Sequence, residues 1–277
     1  PELILQRWAG NEWFDITNSR EPTVDSVDKW AYSFADVLRT GDFAIGMPGG
    51  YQLAINSRVW LEGPYRYGSM TQDLRVKGLM PTTPPDMYPY NLDPNRQIIQ
   101  VNQVPDSVVD WIVLEFRPSF NSGQRYYRTC FIRADGRIVD MDGTSPVLLS
   151  RGGIDSGEYF VAVHHRNHLA VITEDKVGIY PETVQRVLDF SQPSLLMGRN
   201  SALKPIDIDD NGAPVFGMIG GDINGDGIID KQDQIGVWED RDYENLYLNT
   251  DAIMSGHVTT RDFNIPWNNR GRFTLVP

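Results

Sequence analysis

The chain of 277 residues has a single cysteine, Cys130, so no disulfide can form within it. Cys130 lies in the apolar run TCFI, where a buried, inert thiol is expected rather than a nucleophile. Basic residues are scarce: 25 Lys and Arg against 37 Asp and Glu give a net charge of −12. That balance argues against nucleic acid or an anionic membrane as a partner. No apolar run reaches the roughly 20 residues of a membrane span. No secretory leader is read at the start, PELILQRW, which suggests a mature chain or a fragment. No serine-triad signature, phosphate loop or dinucleotide-binding glycine pattern is present.

Oxygen ligands at regular spacing are present instead. In GDINGDGIIDKQD, side chains starting at Asp222 fall at loop positions 1, 3, 5, 9 and 12: Asp222, Asn224, Asp226, Asp230 and Asp233. Gly227 occupies position 6, where the backbone turns sharply, and Ile228 at position 7 can offer its carbonyl. A hard cation takes six to eight oxygens, and this is the calcium-loop spacing of an EF-hand. The alternative is an acidic Gly-Asp turn without metal. Asp233 stands where an EF-hand has Glu, and the preceding PVFGMIGG is too rich in proline and glycine for an entering helix. A loop ending in Asp and followed by a single helix resembles the dockerin family, whose unit occurs twice.

A second copy follows at a shift of 29 residues, which lays Asp222, Gly227, Asp233, Trp238 and Arg241 on Asp251, Gly256, Asp262, Trp267 and Arg270. In this loop, DAIMSGHVTTRD, Ile253 and Ser255 replace two ligands, so it should hold its shape with little or no calcium. His257 at its position 7 needs to supply only a carbonyl. Helices are expected near 231–241 and 260–269, the second distorted or shortened by Pro266. Extracellular calcium is roughly millimolar against dissociation constants of about 10⁻³ M and tighter, so a site of this kind stays filled and acts as a clasp.

The body reads as β. Tyr51, Leu53, Ile55, Val59 and Leu61 alternate with Gln52, Asn56, Arg58 and Glu62, the pattern of a half-buried strand. Further strands are expected at 108–116, 124–133, 136–141, 158–165, 168–173 and 183–190, with Gly, Pro, Asp and Asn between them. The fold class expected is mainly β: an immunoglobulin-like antiparallel β-sandwich followed by a small helical dockerin-like calcium module. SMTQDLRVKG suggests one helix with Ser69 as N-cap, Gln72 as capping-box partner and Gly78 as stop. Five prolines between Pro81 and Pro94 make the next stretch an extended loop. Residues 24–38 fit a helix through Val27, Trp30, Phe34 and Val37, or a strand through Trp30, Tyr32 and Phe34; the helix is preferred. Segment 191–217 reads as an irregular connection. The domains are thus 1–42, an N-terminal strand and linker; 43–200, the sandwich; and 201–277, the calcium module.

Several constellations invite chemistry. His164, His165 and His168 in HHRNH suggest zinc, but Arg166–Asn167 looks like a hairpin turn, and His164 and His165 would point to opposite faces. A hydrogen-bonded structural turn is the preferred reading. Asp110 with Glu115, or Asp155 with Glu158, could be a glycosidase acid and base, although acidic residues at strand ends are usually solvated. Tyr65, Tyr67, Tyr88 and Tyr90 could stack on sugars or pack within the protein. No catalytic residue is assigned, and the protein is expected not to be an enzyme.

DSVVDWIVLEFR, ADGRIVDMDGTS, VAVHHRNHLAV and GMIGGDINGDGIID together resemble the C-terminal regions of very large secreted bacterial surface proteins, β-rich and adhesin-like or dockerin-containing. The resemblance covers about residues 50–277. It implies an extracellular or cell-surface, non-catalytic module with Ca²⁺ held by Asp222, Asn224, Asp226, Ile228, Asp230 and Asp233. The apolar N-terminal strand around Leu3, Ile4 and Leu5 has no apparent turn to fold it back. It either pairs at the edge of its own sandwich or enters another copy by donor-strand exchange, as in pilus-like fibres. The reading is a calcium-stabilised structural or assembly subunit of a surface fibre, partnered by copies of itself as a homopolymer. The alternative is a carbohydrate-binding or cohesin-docking module of a secreted enzyme system, with polysaccharide or protein as partner. A docking module needs exposed contact residues on its two helices, whereas an assembly clasp should pack Trp238 and Trp267 against its own chain or a sister subunit.

Overall fold

The structure is a computed structural model. It describes residues 53–149, 152–180 and 186–277, together with five N-terminal strands. Those strands are β1 (Ile4–Ala9), β2 (Glu12–Asp15), β3 (Thr23–Asp25), β4 (Trp30–Tyr32) and β5 (Phe43–Gly46). The chain divides into two compact units, Pro1–Gln52 and Leu53–Pro277.

In the first unit β1 is the middle strand of a three-stranded sheet, antiparallel to β2 and β5. Two N-terminal expectations are thereby corrected. The strand is not a free end, because β2 pairs antiparallel with it, with Ala9 opposite Glu12. Both of its hydrogen-bonding edges are used, which leaves none to donate to another copy, and its partners lie outside the large sheet. The boundary expected after residue 42 also moves, since Phe43–Gly46 completes this small sheet. Where a helix was preferred, β3 and β4 form an antiparallel pair with Thr23 opposite Tyr32. The alternation of Trp30 and Tyr32 outweighed the helical spacing. Residues 33–38 lie outside the described residues.

The second unit is built on one sheet of nine strands. They are β6 (Ala54–Arg58), β9 (Val108–Arg117), β10 (Tyr126–Arg133), β11 (Arg137–Val139), β12 (Val147–Leu148), β13 (Gly157–His165), β14 (His168–Ile172), β15 (Val177–Ile179) and β16 (Val187–Asp189). The order is β12-β6-β11-β10-β9-β13-β14, with β15 on β13 and β16 parallel to β6. The chain is therefore mainly β, with a large antiparallel sheet. The sheet branches at β6 and β13, each of which has three partners. All ten residues of β9 are buried, including Asp110, Glu115 and Arg117, so this strand is covered on both faces.

Short elements cover the sheet. The hairpin β7 (Tyr65–Arg66) and β8 (Ser69–Met70) precedes a single helical turn, α1 (Asp73–Val76), that packs on β9. This helix starts later than expected: Ser69 belongs to β8, and Gln72 flanks the turn without a side-chain cap. The proline-rich loop hugs the surface as its composition suggested, and the Pro81 carbonyl accepts the Trp111 indole N–H at 2.9 Å. Segment 191–217 is not irregular, because β17 (Leu203–Ile208) and β18 (Pro214–Met218) form a second hairpin. The C-terminal helices are α2 (Lys231–Glu239) and α3 (Thr260–Asn269). α3 keeps its full ten residues through Pro266, so the proline neither shortens nor ends it.

Candidate metal loop and interaction face

Both repeats fold alike. In the first, Asp233 Oδ1 accepts the backbone N–H of Ile223 at 2.8 Å and of Asn224 at 3.2 Å, while Oδ2 accepts that of Asp230 at 2.8 Å. In the second, Asp262 Oδ1 accepts the Ile253 N–H at 3.0 Å and Oδ2 the Thr259 N–H at 2.8 Å. Each last carboxylate therefore closes the loop and, through a capping box, starts the next helix. Asp222 and Asp251 do the matching work at position 1, accepting from Gly227 N–H at 3.2 Å and Gly256 N–H at 2.6 Å. The 29-residue repeat is thus a repeat of hydrogen bonds, not only of letters.

The two loops differ in what fills positions 2 to 4. Ala252, Ile253 and Met254 are buried, and Met254 belongs to the main core under the sheet. A Cβ on Gly63 would stand 1.8 Å from the Ala252 carbonyl oxygen, so only glycine lets the turn before β7 pass against the loop. The second loop has become an anchor. The first keeps its oxygens, with Asn224 and Asp226 exposed and Asp222 buried. Burial first, then the neighbouring Asp233 and Asp226 charges, push the Asp222 carboxyl up to about 7. Its buried Oδ1 has no hydrogen-bond partner.

That orphaned oxygen, facing other carboxylates, is the kind of atom a cation would satisfy. Gly227, at φ +83°, supplies the sharp position-6 turn. As the side chains stand, no three carboxylate, imidazole or thiol groups among the described residues are drawn together around one point. Asn224 donates to Asp226 instead, at 2.9 Å, and Asp233 is occupied by backbone N–H groups.

The histidine-rich hairpin between β13 and β14 joins this region to the sheet. His164, His165, Arg166, Asn167 and His168 are all buried. Arg166 Nε donates to Asp110 Oδ2 at 2.8 Å and Nη1 to the Leu248 carbonyl, with its guanidinium 4.4 Å from the Tyr247 ring centre. Tyr247 Oη donates to Asp110 Oδ1 at 2.5 Å. Asn167 Nδ2 donates to the carbonyls of Asn249 and Asp251, and its own carbonyl accepts the Gly221 N–H at 2.8 Å. The turn therefore grips the second loop at its first residue, Asp251, and the first at Gly221, the residue just before it.

The histidines are engaged separately. His164 Nε2 meets Glu115 Oε2 at 2.7 Å and its Nδ1 meets Tyr88 Oη at 3.1 Å. His165 Nδ1 meets His168 Nδ1 at 3.1 Å. This is the structural turn preferred on sequence grounds. The solvated reading of the two carboxylates is overturned. Burial would raise the carboxyl of Asp110, but Arg166, then His165 and Tyr247, hold it well below its ordinary range. Burial likewise opposes Glu115, yet His164 and Arg117 lower it to about 2. Both carboxylates lie under the surface and already face cations, so neither can reach a glycosidic bond. Asp155 and Glu158 are not brought together with them.

The outer face of α2 and α3 is the reverse. Trp238 and Trp267 are each 53% exposed, with the half-buried Phe263 between them, 6.0 Å from each ring centre. Arg241 lies over Trp238 and Arg270 over Trp267. Ile235 is exposed on the same helix as Trp238. The sequence marked the two tryptophans through their repeat spacing; Phe263, which joins them, went unnoticed.

No protein-family model and no curated protein matches the chain. Among the solved structures that overlap it loosely are two type II cohesin–X-dockerin complexes from Acetivibrio cellulolyticus. One, a C-terminal interface mutant, covers 58% of this chain and 81% of its own at 15% identity and a TM-score of 0.34. The other, an N-terminal interface mutant, covers 79% and 97% at 10% identity and a TM-score of 0.39. Overlaps this loose assign neither fold nor activity. No helix among the described residues is long and apolar enough to cross a membrane.

Proposed function

We propose that residues 53–277 are a non-catalytic docking module that binds a protein partner through the ridge of Trp238, Phe263 and Trp267, outside the cell and with Ca²⁺ in the first loop. The observation that carries this reading is the exposure of both tryptophans. An aromatic pair related by an internal repeat, flanked by arginines and left half in solvent, has the composition of an interaction hot spot. A purely internal clasp would bury those rings. Ca²⁺ would be held by Asp222, Asn224, Asp226, the Ile228 carbonyl, Asp230 and Asp233, relieving the repulsion around Asp222 and stiffening the start of α2. The ridge would then be presented in one geometry.

The test compares immobilised wild-type protein with a Trp238→Ala/Trp267→Ala variant, each offered the secreted proteins of the source organism with calcium or with chelator. A partner retained by the wild type with calcium, and lost in the other three conditions, is the expected result. Equal retention by both proteins would remove the docking reading. Sedimentation of the purified chain separates the fibre alternative: a monomer is expected, and polymers would restore the structural-subunit reading.

A further inference from the structure

We infer that a cleft of about 520 Å³ between the β7–β8 turn and the β17–β18 hairpin binds a neutral saccharide, at a site separate from the helical ridge. The volume falls within the range of small-molecule sites. Its mouth carries Tyr67, the most exposed large hydrophobic residue described, at 94%. Tyr67 and Gly68 form the tight β7–β8 turn with φ values of 46° and 82°. A two-residue turn with both φ angles positive favours Asn, Asp or Gly at its first position. Tyrosine there costs backbone strain, and its ring gains almost no burial in return. A local rule broken without a packing gain is a mark of a functional position.

The chemistry of the walls selects the ligand. Tyr67 offers a ring face, and the Trp60 indole forms part of the wall with the Arg58 guanidinium 5.4 Å from its centre. Arg58 and the Gln192 amide are donors, while Asp207 and Asp210 on the facing hairpin are acceptors. Hydroxyl groups donate and accept at once, so they suit a lining that mixes both, and the apolar face of a sugar ring suits tyrosine. An anion would meet Asp207, Asp209 and Asp210 on the facing hairpin. Arg58, whose charge is shared with Asp189 at 3.4 Å, can still donate to a hydroxyl but does not offset them. A cation would find the indole face already taken by Arg58.

The probes are cellotetraose, xylotetraose and mannotetraose, titrated into the full chain and followed by amide chemical shifts. Saturable binding of at least one, with shifts at Tyr67, Gly68 and Asp210, is expected. Tyr67→Asn removes the ring while suiting the turn, so it should melt no lower than wild type and bind about tenfold more weakly. Tyr67→Phe should bind as wild type. Absence of saturable binding by all three sugars would overturn the inference, as would undiminished binding by Tyr67→Asn. Tetralysine binding at these residues in place of the sugars would show a cation site and would also overturn it.

Discussion

Arg166 occupies a hairpin turn, where solvent would ordinarily take a charged side chain, yet it is fully buried. Burial alone would lower its pKa, but Asp110 and the tyrosine hydroxyls raise it, so the pair remains ionised. Removing one partner of a buried pair leaves the other charge without compensation, at a cost of about 3–5 kcal/mol. Asp110→Asn should therefore lower the denaturation free energy by about that much in urea titrations, whereas Asp155→Asn, outside this network, should change it by less than about 0.5 kcal/mol. The pH response follows from the same groups. His165 and His168 are held below their ordinary values, first by burial, and Glu115 is lowered to about 2. A folded-state pKa below the unfolded one gives stability that is complete above the unfolded value and is lost as pH falls toward the folded value. These groups lose stability as pH drops below about 6.5 and again from about 4.5 toward 2. Asp222 and Asp251, raised to about 7 and about 6, act in the opposite sense down to about 4, so the net decline is expected below about 4. Thermal melts across that range test the sign. A protein more stable at pH 2 than at pH 4 would contradict it.

Among the elements, the two loops show how one repeat acquired two uses. The sequence made the ligand spacing, the glycine at position 6 and both helices legible, because these are local patterns. It did not show that Met254 anchors the second loop in the main core, since its partners are distant in the chain. The same limit hid the burial of Asp110 and Glu115, whose partners Arg166 and His164 come from the β13–β14 hairpin, far along the chain. The β17–β18 hairpin did carry a local signal, Asn211–Gly212, masked by two prolines and three aspartates. Strands such as β9 and β13 were readable because their apolar runs are long. Calorimetric titration of the metal-stripped chain should give one calcium per molecule. Asp222→Asn should abolish it, and Asp251→Asn should leave the stoichiometry at one while destabilising the fold. Two equivalent sites, or none, would refute the division of labour between the loops.

At the scale of the molecule, the expected separation of a sandwich from a calcium module at residue 200 is not how residues 53–277 are joined. Leu203, Met218 and Met254 lie within the main core, and Tyr247 packs against it. Asn269, at the end of α3, donates to Glu62 at 2.7 Å and to the Gly220 carbonyl at 2.8 Å, and Lys204 meets both Glu62 and Asn269. The β13–β14 turn gives its backbone and side-chain hydrogen bonds to the C-terminal loops. Cutting the chain after residue 200 would expose part of that core and leave Arg166 and Asn167 without several of their partners. Each buried polar group so orphaned costs about 1–3 kcal/mol, against a typical total stability of about 5–15 kcal/mol. Residues 53–200 alone should therefore show no cooperative unfolding transition, while 53–277 should show a single one. Calcium bound only to the folded state adds stability to whatever unfolds with it. Amide exchange in β9 and β13 should then slow together with that in α2 when calcium is added to the full chain. Protection that rises in α2 alone, with β9 unchanged, would mean that the loop stabilises only its own helix and that the two parts unfold independently.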